Sequence, residues 1–213
     1  MEANSQFHFS QFFEETGILK DLFESYQYPW EVMPHISEFI DNFAKNVPAD
    51  YQQISEGVFV GKNVTIDDTA RIKGKAIIGH GATIGHAAFL RGDVVIGEDV
   101  NVGHATEVKH SIILARAALA HLNYIGDSVI GSDCNISGGA TMANWRFDRA
   151  IVTVKNGDVR ISTGMEKFGS IIGDGTFVGV SAVINPGTVL AKKILVFPLV
   201  SVSGSHLVQS TIK

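Results

Sequence analysis

Arg91 and Lys109 stand eighteen residues apart, Glu107 lies two before Lys109, and His121, Asn123 and Tyr124 follow in the run AHLNYIGD. Two cations held side by side repel each other unless an anion lies between them, so such a pair suits a phosphate group. Two solvated surface charges are the alternative. An imidazole with an unperturbed pKa of about 6.5 can take a proton from an amine near neutral pH, which makes His121 the candidate general base. His80, His86, His104 and His110 recur at intervals of six and eighteen. They look ligand-like, but stacked surface histidines without a third partner do not make a zinc site, and no metal is expected. Cys134, the single cysteine, excludes an intramolecular disulfide and a cysteine-rich zinc centre and reads as a small buried residue.

A repeat of six positions these residues. Large aliphatics recur at Val60, Ile66, Ile72, Ile78, Ile84, Leu90, Ile96, Val102 and Val108, continuing to Leu114 and Ala120. Compact residues hold the fifth place, from Val64, Ala70 and Ala76 to Thr106, Ile112 and Ala118. A helix repeats at three and four and a simple strand at two, so this pattern fits a β-solenoid. The expected fold is mainly β, a left-handed parallel β-helix in which three hexads make one coil. Residues eighteen apart then stack at roughly 4.8 Å, Arg91 on Lys109 among them. After Ala120 the phase slips and a second series begins at Tyr124, Ile130 and Ile136, placing His121, Asn123 and Tyr124 at an irregularity of the kind that marks functional sites.

The repeat resumes at Ile172 and runs to Val202, so residues 142–171 are a loop excursion from one solenoid. Inside it, Asn156-Gly157 between β-branched residues signals a hairpin, expected as a protruding ribbon. Residues 1–50 differ in pattern. Ile36, Phe39, Ile40 and Phe43 behind Pro34 predict a helix ending near Lys45, with an earlier one around residues 16–25. This segment is expected to pack on or cap the open end of a solenoid spanning 51–213.

The formal charge of −5, from 17 basic and 22 acidic residues without like-charge blocks, argues against a nucleic-acid surface or a polybasic membrane anchor. The N-terminus lacks a basic stretch before an apolar run, and no run reaches bilayer length, so a cytoplasmic location is expected.

The segments EVKHS, HLNYIGDS and ANWRFD, with LRGDVVIG before them and KFGSIIGDGTFVGVSAVINPGTVL after, resemble the acetyltransferase half of bifunctional N-acetylglucosamine-1-phosphate uridyltransferases, and more closely their archaeal-type sugar-1-phosphate nucleotidylyltransferase relatives. The resemblance covers about residues 57–200. It implies acetyl transfer from acetyl-CoA to an amino-sugar 1-phosphate in a homotrimer, with acetyl-CoA between adjacent solenoids. By motif, Arg91 and Lys109 would hold the sugar phosphate, and Tyr124, Asn135, Asn144 and Lys167 would contact substrate. His121 would take the amine proton, with Glu107 orienting it. Amides near Ser137 to Ala140 could hold the oxyanion.

Three features depart from the family pattern. The family's small-residue triplet reads Ser137-Gly138-Gly139, Val180 replaces a serine near the coenzyme thiol, and a C-terminal arm with a phosphate-binding arginine has no counterpart. Gly138, Gly139 and Val180 would line the coenzyme, and Lys192 and Lys193 could meet its phosphates. No glycine-rich nucleotide loop follows an early strand, so acyl transfer alone is expected. Two other readings stand beside this one. A γ-type carbonic anhydrase shares the solenoid but has two histidines five apart, a pair missing here. A scaffold or sensor would keep the sugar-phosphate pocket and lose coenzyme binding.

Overall fold

The computed structural model describes residues 5–213. From Val58 onward the chain winds into three parallel sheets that form the faces of a prism. The first face runs from Val58–Val60 to Ser205–His206, the second from Thr65–Ile66 to Thr211–Ile212, and the third from Arg71–Lys73 to Ser201–Val202. Ile78, Ile84 and Leu90 point inward from successive faces, and their counterparts in each coil fill one continuous core. Each such fully buried aliphatic side chain contributes roughly 1.5–3 kcal/mol.

The interior rows differ from the expected register by one residue in the middle coils. Ile113 and Leu119 are interior rather than Leu114 and Ala120, and Ser111 and Ala117 take the compact places expected of Ile112 and Ala118. The phase slips earlier, because the corner after Val108 is one residue short. Ile96 pairs with Ile113 and Val102 with Leu119, seventeen apart instead of eighteen. The corner after Ile125 is short in the same way, pairing Ile113 with Ile130. Tyr124 therefore faces outward, and Ile125 holds the interior place. Serines close the shortened corners. Ser111 Oγ donates to the Lys109 carbonyl (2.8 Å) and accepts from Ser128 N (3.0 Å), and Ser128 Oγ donates to the Gly126 carbonyl (2.8 Å). Side-chain hydroxyls thus satisfy backbone groups that a full-length corner would pair through the main chain.

The N-terminal segment does not cap the solenoid end. It lies along the first face, whose outward row Phe59, Ile77, Val95, Ile112, Val129, Ile171 and Val189 is at most 1% exposed. Phe12, Phe13, Phe23, Trp30 and Met33 cover that row, together with Ile36 and Ile40 of a helix over Ile36–Lys45. The earlier helix is short, Lys20–Glu24, entered through a 3₁₀ turn at Gly17–Leu19. Only the first face carries an unbroken apolar outward row. The second presents Thr65, Thr83 and Asn101, and the third Arg71, Phe89 and Glu107. The edge of the first face is paired instead by the antiparallel strand Gln52–Ser55.

The hairpin forms at Asn156-Gly157 from strands Thr153–Asn156 and Val159–Ser162. It does not protrude freely. Val152 and Val154 are buried in the same cluster as Ile171 and Val189, so its first strand continues the cover of the first face. The second and third faces keep open outer surfaces, and the expected functional residues stand there.

Candidate active site

Lys109 sits one rung from Arg91 on the third face, as the eighteen-residue spacing requires. Each cation has its own carboxylate. Arg91 Nε donates to Glu107 Oε1 at 2.6 Å, and Lys109 Nζ donates to Asp127 Oδ2 at 2.5 Å. Glu107 thus engages Arg91 rather than His121. Asp127 joins the site without belonging to the motif residues expected there. The short corner carries it, in a left-handed backbone conformation (φ 46°), to the ammonium eighteen residues earlier.

Asn144 is the hub of the next rung. Its amide donates to Tyr124 Oη at 3.1 Å and to Asp127 Oδ2. The two side chains meet over Gly126, where an added Cβ would come within 2.7 Å of the Tyr124 hydroxyl and 2.8 Å of the Asn144 amide. Burial, then the nearby charges of Asp127 and Glu107, push the Tyr124 phenol above its ordinary value, so it stays neutral and keeps a hydroxyl proton to donate. The excursion returns beside this hub. Phe168 N donates to the Asn144 carbonyl (3.0 Å), and Lys167 pairs with Trp145 through a bridge while its ammonium lies 5.9 Å from the Trp145 ring. Arg91, Glu107, Lys109, Tyr124, Asn144 and Lys167 are thereby gathered on or beside one face.

His121 ends the strand Ala118–His121 of the second face, at the corner leading to the third. The shortened coil keeps it in the row of His86 and His104 rather than outside it. His121 pairs with His104, whose ring stacks on His86 at 5.4 Å. The row continues to Gly138 and Val180, because Gly139 N donates to the His121 carbonyl (3.0 Å) and Ser181 N to the Gly138 carbonyl (3.0 Å). His121 is exposed, and its ring bonds to none of the described residues. Of the amides from Ser137 to Ala140, those of Ser137, Gly139 and Ala140 are already bonded to backbone carbonyls. The Gly138 N–H alone is left to meet a substrate oxygen.

Asn123 holds this corner from inside. Only 3% exposed, it donates to the carbonyls of Ser137 (2.7 Å) and Ala140 (3.3 Å) and accepts from His121 N (3.2 Å). One buried amide therefore ties the histidine strand to the glycine turn.

Three expected contacts lie elsewhere in the chain. Asn135 stands on the second face, its amide on Ser137 Oγ at 3.2 Å, around the corner from Tyr124. Lys192 and Lys193 turn the opposite corner, between first and second faces, where Lys192 pairs with Glu14 of the N-terminal segment at 3.3 Å. His80 and His110 are structural: His80 accepts from Lys62 N and faces Asp50, and His110 bonds the Met33 carbonyl. Among the described residues, no group of three or more His, Cys, Asp or Glu could hold a metal ion. Burial pushes the Cys134 thiol up to about 12, leaving it a packing residue without nucleophilic character.

The coils, the corner glycines and the outward polar rows define a left-handed parallel β-helix of the hexapeptide-repeat class. Within that class the chain belongs to the family of the GMPPB C-terminal domain, whose model matches residues 72–195. A bifunctional sugar-1-phosphate nucleotidylyltransferase/acetyltransferase of Sulfurisphaera tokodaii is 38% identical over 90 residues, covering 42% of this chain and 22% of its own. A bifunctional protein GlmU of Methanococcus maripaludis is 36% identical over 186 residues, covering 84% of this chain and 44% of its own. The chain thus spans less than half the length of these curated relatives. A solved structure of a candidate acetyltransferase from Bacillus cereus superposes with a TM-score of 0.50 at 16% identity, over 71% of this chain and 80% of that one, a likeness of fold.

Proposed function

We propose that the protein is an acetyl-CoA-dependent N-acetyltransferase of an amino-sugar 1-phosphate, acting in the cytoplasm as a homotrimer. The observation that carries this reading is a third face flanked by two sets of groups: a phosphate-sized pair of cations with a polar hub of Tyr124, Asp127 and Asn144 towards the corner that leads to the first face, and an unbonded imidazole beside a glycine turn at the corner that leads in from the second. The bifunctional relative of Sulfurisphaera tokodaii, named for nucleotidylyl and acetyl transfer, supports acetyl transfer by the segment shared with this chain. Arg91 and Lys109 would hold the phosphate, while Tyr124 and Asn144 would bond sugar hydroxyls. Lys167 and, from the second face, Asn135 would complete the substrate's surroundings.

His121 then takes the proton of the attacking amine as its nitrogen bonds to the thioester carbon. The carbon–sulfur bond breaks, and the same proton passes to the departing thiolate, leaving an amide and free coenzyme A. The Gly138 N–H faces the carbonyl oxygen on which negative charge develops. Glu107 and Asp127 act by holding the cations in place. Lys192 and Lys193 lie at another corner, so within one chain they do not serve a coenzyme whose thioester sits at His121. They would reach it across the contact between two copies.

Thiol release from acetyl-CoA, with glucosamine 1-phosphate beside unphosphorylated glucosamine, tests the reading. Turnover that needs the phosphate supports it. Absence of turnover while acetyl-CoA fails to bind in calorimetry would instead support a scaffold that kept only the sugar-phosphate surface.

A further inference from the structure

Beyond Arg91, the row of cations on the third face has another member. Lys73 pairs with Arg91 in the register that pairs Arg91 with Lys109, so three basic residues occupy three consecutive rungs. Arg71, in the neighbouring outward row, stands on the same strand as Lys73. The four cations differ in what surrounds them. Arg91 and Lys109 are partly buried and neutralised by Glu107 and Asp127. Lys73 and Arg71 are exposed and make no ion pair or side-chain hydrogen bond with any described residue.

Of the four cations only Arg91 and Lys109 have carboxylate partners, and the nearby Asp93 carboxylate, two residues after Arg91, accepts from Lys75 N, so Lys73 and Arg71 remain uncompensated. Lys73, without a carboxylate of its own, stands one rung from Arg91, roughly 4.8 Å, and an anion between the two would lower their repulsion. Three rungs enclose two such gaps. A single phosphate fills only one of them, the gap between Arg91 and Lys109.

We infer that Lys73 and Arg71 form a second phosphoryl subsite, so that the anionic end of the substrate is a diphosphate ester lying along the solenoid axis. The inference rests on the proposed reading of Arg91 and Lys109 as the first phosphoryl subsite. It makes the amino-sugar 1-phosphate the inner part of a larger substrate, a diphosphate-linked amino sugar. Charge matches, since a diphosphate diester carries two negative charges against the two uncompensated cations. Direction matches as well. The polar hub at Tyr124 and Asn144 lies one coil from Lys109, and Lys73 lies two coils from Lys109 on the opposite side. Sugar, first phosphate and second phosphate would thus occupy successive coils, with the reacting amine kept at the His121 corner.

Calorimetric titration of the full chain with inorganic pyrophosphate and with orthophosphate tests this without requiring any catalysis. Pyrophosphate should bind at least tenfold more tightly, and Lys73→Ala should weaken pyrophosphate about tenfold while changing orthophosphate by less than about twofold. Lys73→Arg should restore most of the loss, and Lys62→Ala, an exposed lysine at a different corner, should leave both ligands unaffected. Equal affinities for the two anions, or a Lys73→Ala protein that binds pyrophosphate normally, would overturn the inference. Thiol release with glucosamine 1-phosphate is read separately. A protein that turns over that substrate yet shows no preference for pyrophosphate would refute the second subsite and leave the acetyltransferase reading intact.

Discussion

Lys109 Nζ and Asp127 Oδ2 lie 2.5 Å apart, with 17% and 7% of their side chains exposed, and join the two successive corners where the solenoid drops a residue. The pair is shielded enough that removing one member leaves a poorly solvated charge behind. The same carboxylate accepts from Asn144, so Lys109 and the Tyr124–Asn144 hub share one anchor.

Asp127→Ala should therefore lower stability by about 3 kcal/mol, the cost typical of breaking a buried ion pair on one side. Urea denaturation reads this directly. Asp127→Asn, which keeps the shape and one acceptor, should cost less while still raising the KM for sugar phosphate, because Lys109 loses its fixed position. A loss below about 0.5 kcal/mol for the alanine variant would show that solvent already screens the pair.

Asn123→Ala removes the amide that joins His121 N to the Ser137 and Ala140 carbonyls, leaving His121 N without its acceptor while the carbonyls keep only the Ala140 and Tyr124 N–H groups. We expect a loss of about 1–3 kcal/mol together with a fall in kcat larger than any change in KM for sugar phosphate, since the third-face contacts stay in place. Denaturation and steady-state kinetics on one preparation separate the two effects. A kcat unchanged beside the expected destabilisation would remove Asn123 from any role in positioning His121.

Asp174 ties the N-terminal segment to the solenoid. Its carboxylate accepts from Glu14 N (2.7 Å) and Ser132 N (2.7 Å), and its own N–H donates to the Phe12 carbonyl (2.9 Å). Burial, only partly offset by those donors, raises its pKa above the usual carboxylate value. A raised folded-state pKa means that the native state holds the proton more tightly than the unfolded chain does. The favourable contribution is thus fully present at low pH and is lost as pH rises through the carboxylate range to the folded pKa. Asp174→Asn cannot titrate, so relative to the natural protein its melting temperature should improve from pH 3.5 to pH 7, as a trend in the difference between the two. A difference independent of pH would contradict the raised pKa.

Much of this arrangement is legible in the hexads. Their period gives the coil and its length gives the stacking of Arg91 on Lys109, because parallel strands in register leave little freedom. The apolar doublets Ile77-Ile78, Val95-Ile96 and Ile171-Ile172 even mark which face is covered, since an outward aliphatic row on one face alone demands a partner. That row draws the N-terminal segment along the first face rather than onto the open end. The first slip follows Val108, twelve residues before its expected place, and Leu114 hides it by continuing the apolar sequence. Leu114 is indeed buried, but outside the prism, against the N-terminal segment. Burial from two directions gives two apolar residues in a row, and composition cannot say which one faces the interior. Asp127 lies eighteen residues after Lys109, the spacing that relates Arg91 to Lys109, although the shortened corner sets Gly126 directly opposite Lys109 and Asp127 one residue beyond. Lys192 and Lys193 turn the corner between the first and second faces rather than that of His121, so the coenzyme contact expected of them is one that a second copy would complete.

The central claim is that His121 removes the amine proton at a corner where Gly138 meets the thioester. The most direct test follows thiol release from acetyl-CoA with glucosamine 1-phosphate for the natural protein and for His121→Ala, with both shown by circular dichroism to be folded. The account predicts turnover by the natural protein and a fall of about 100-fold or more for the variant at pH 7, partly recovered as pH rises and the amine loses its proton unaided. Equal rates for the two proteins at pH 7 would contradict it.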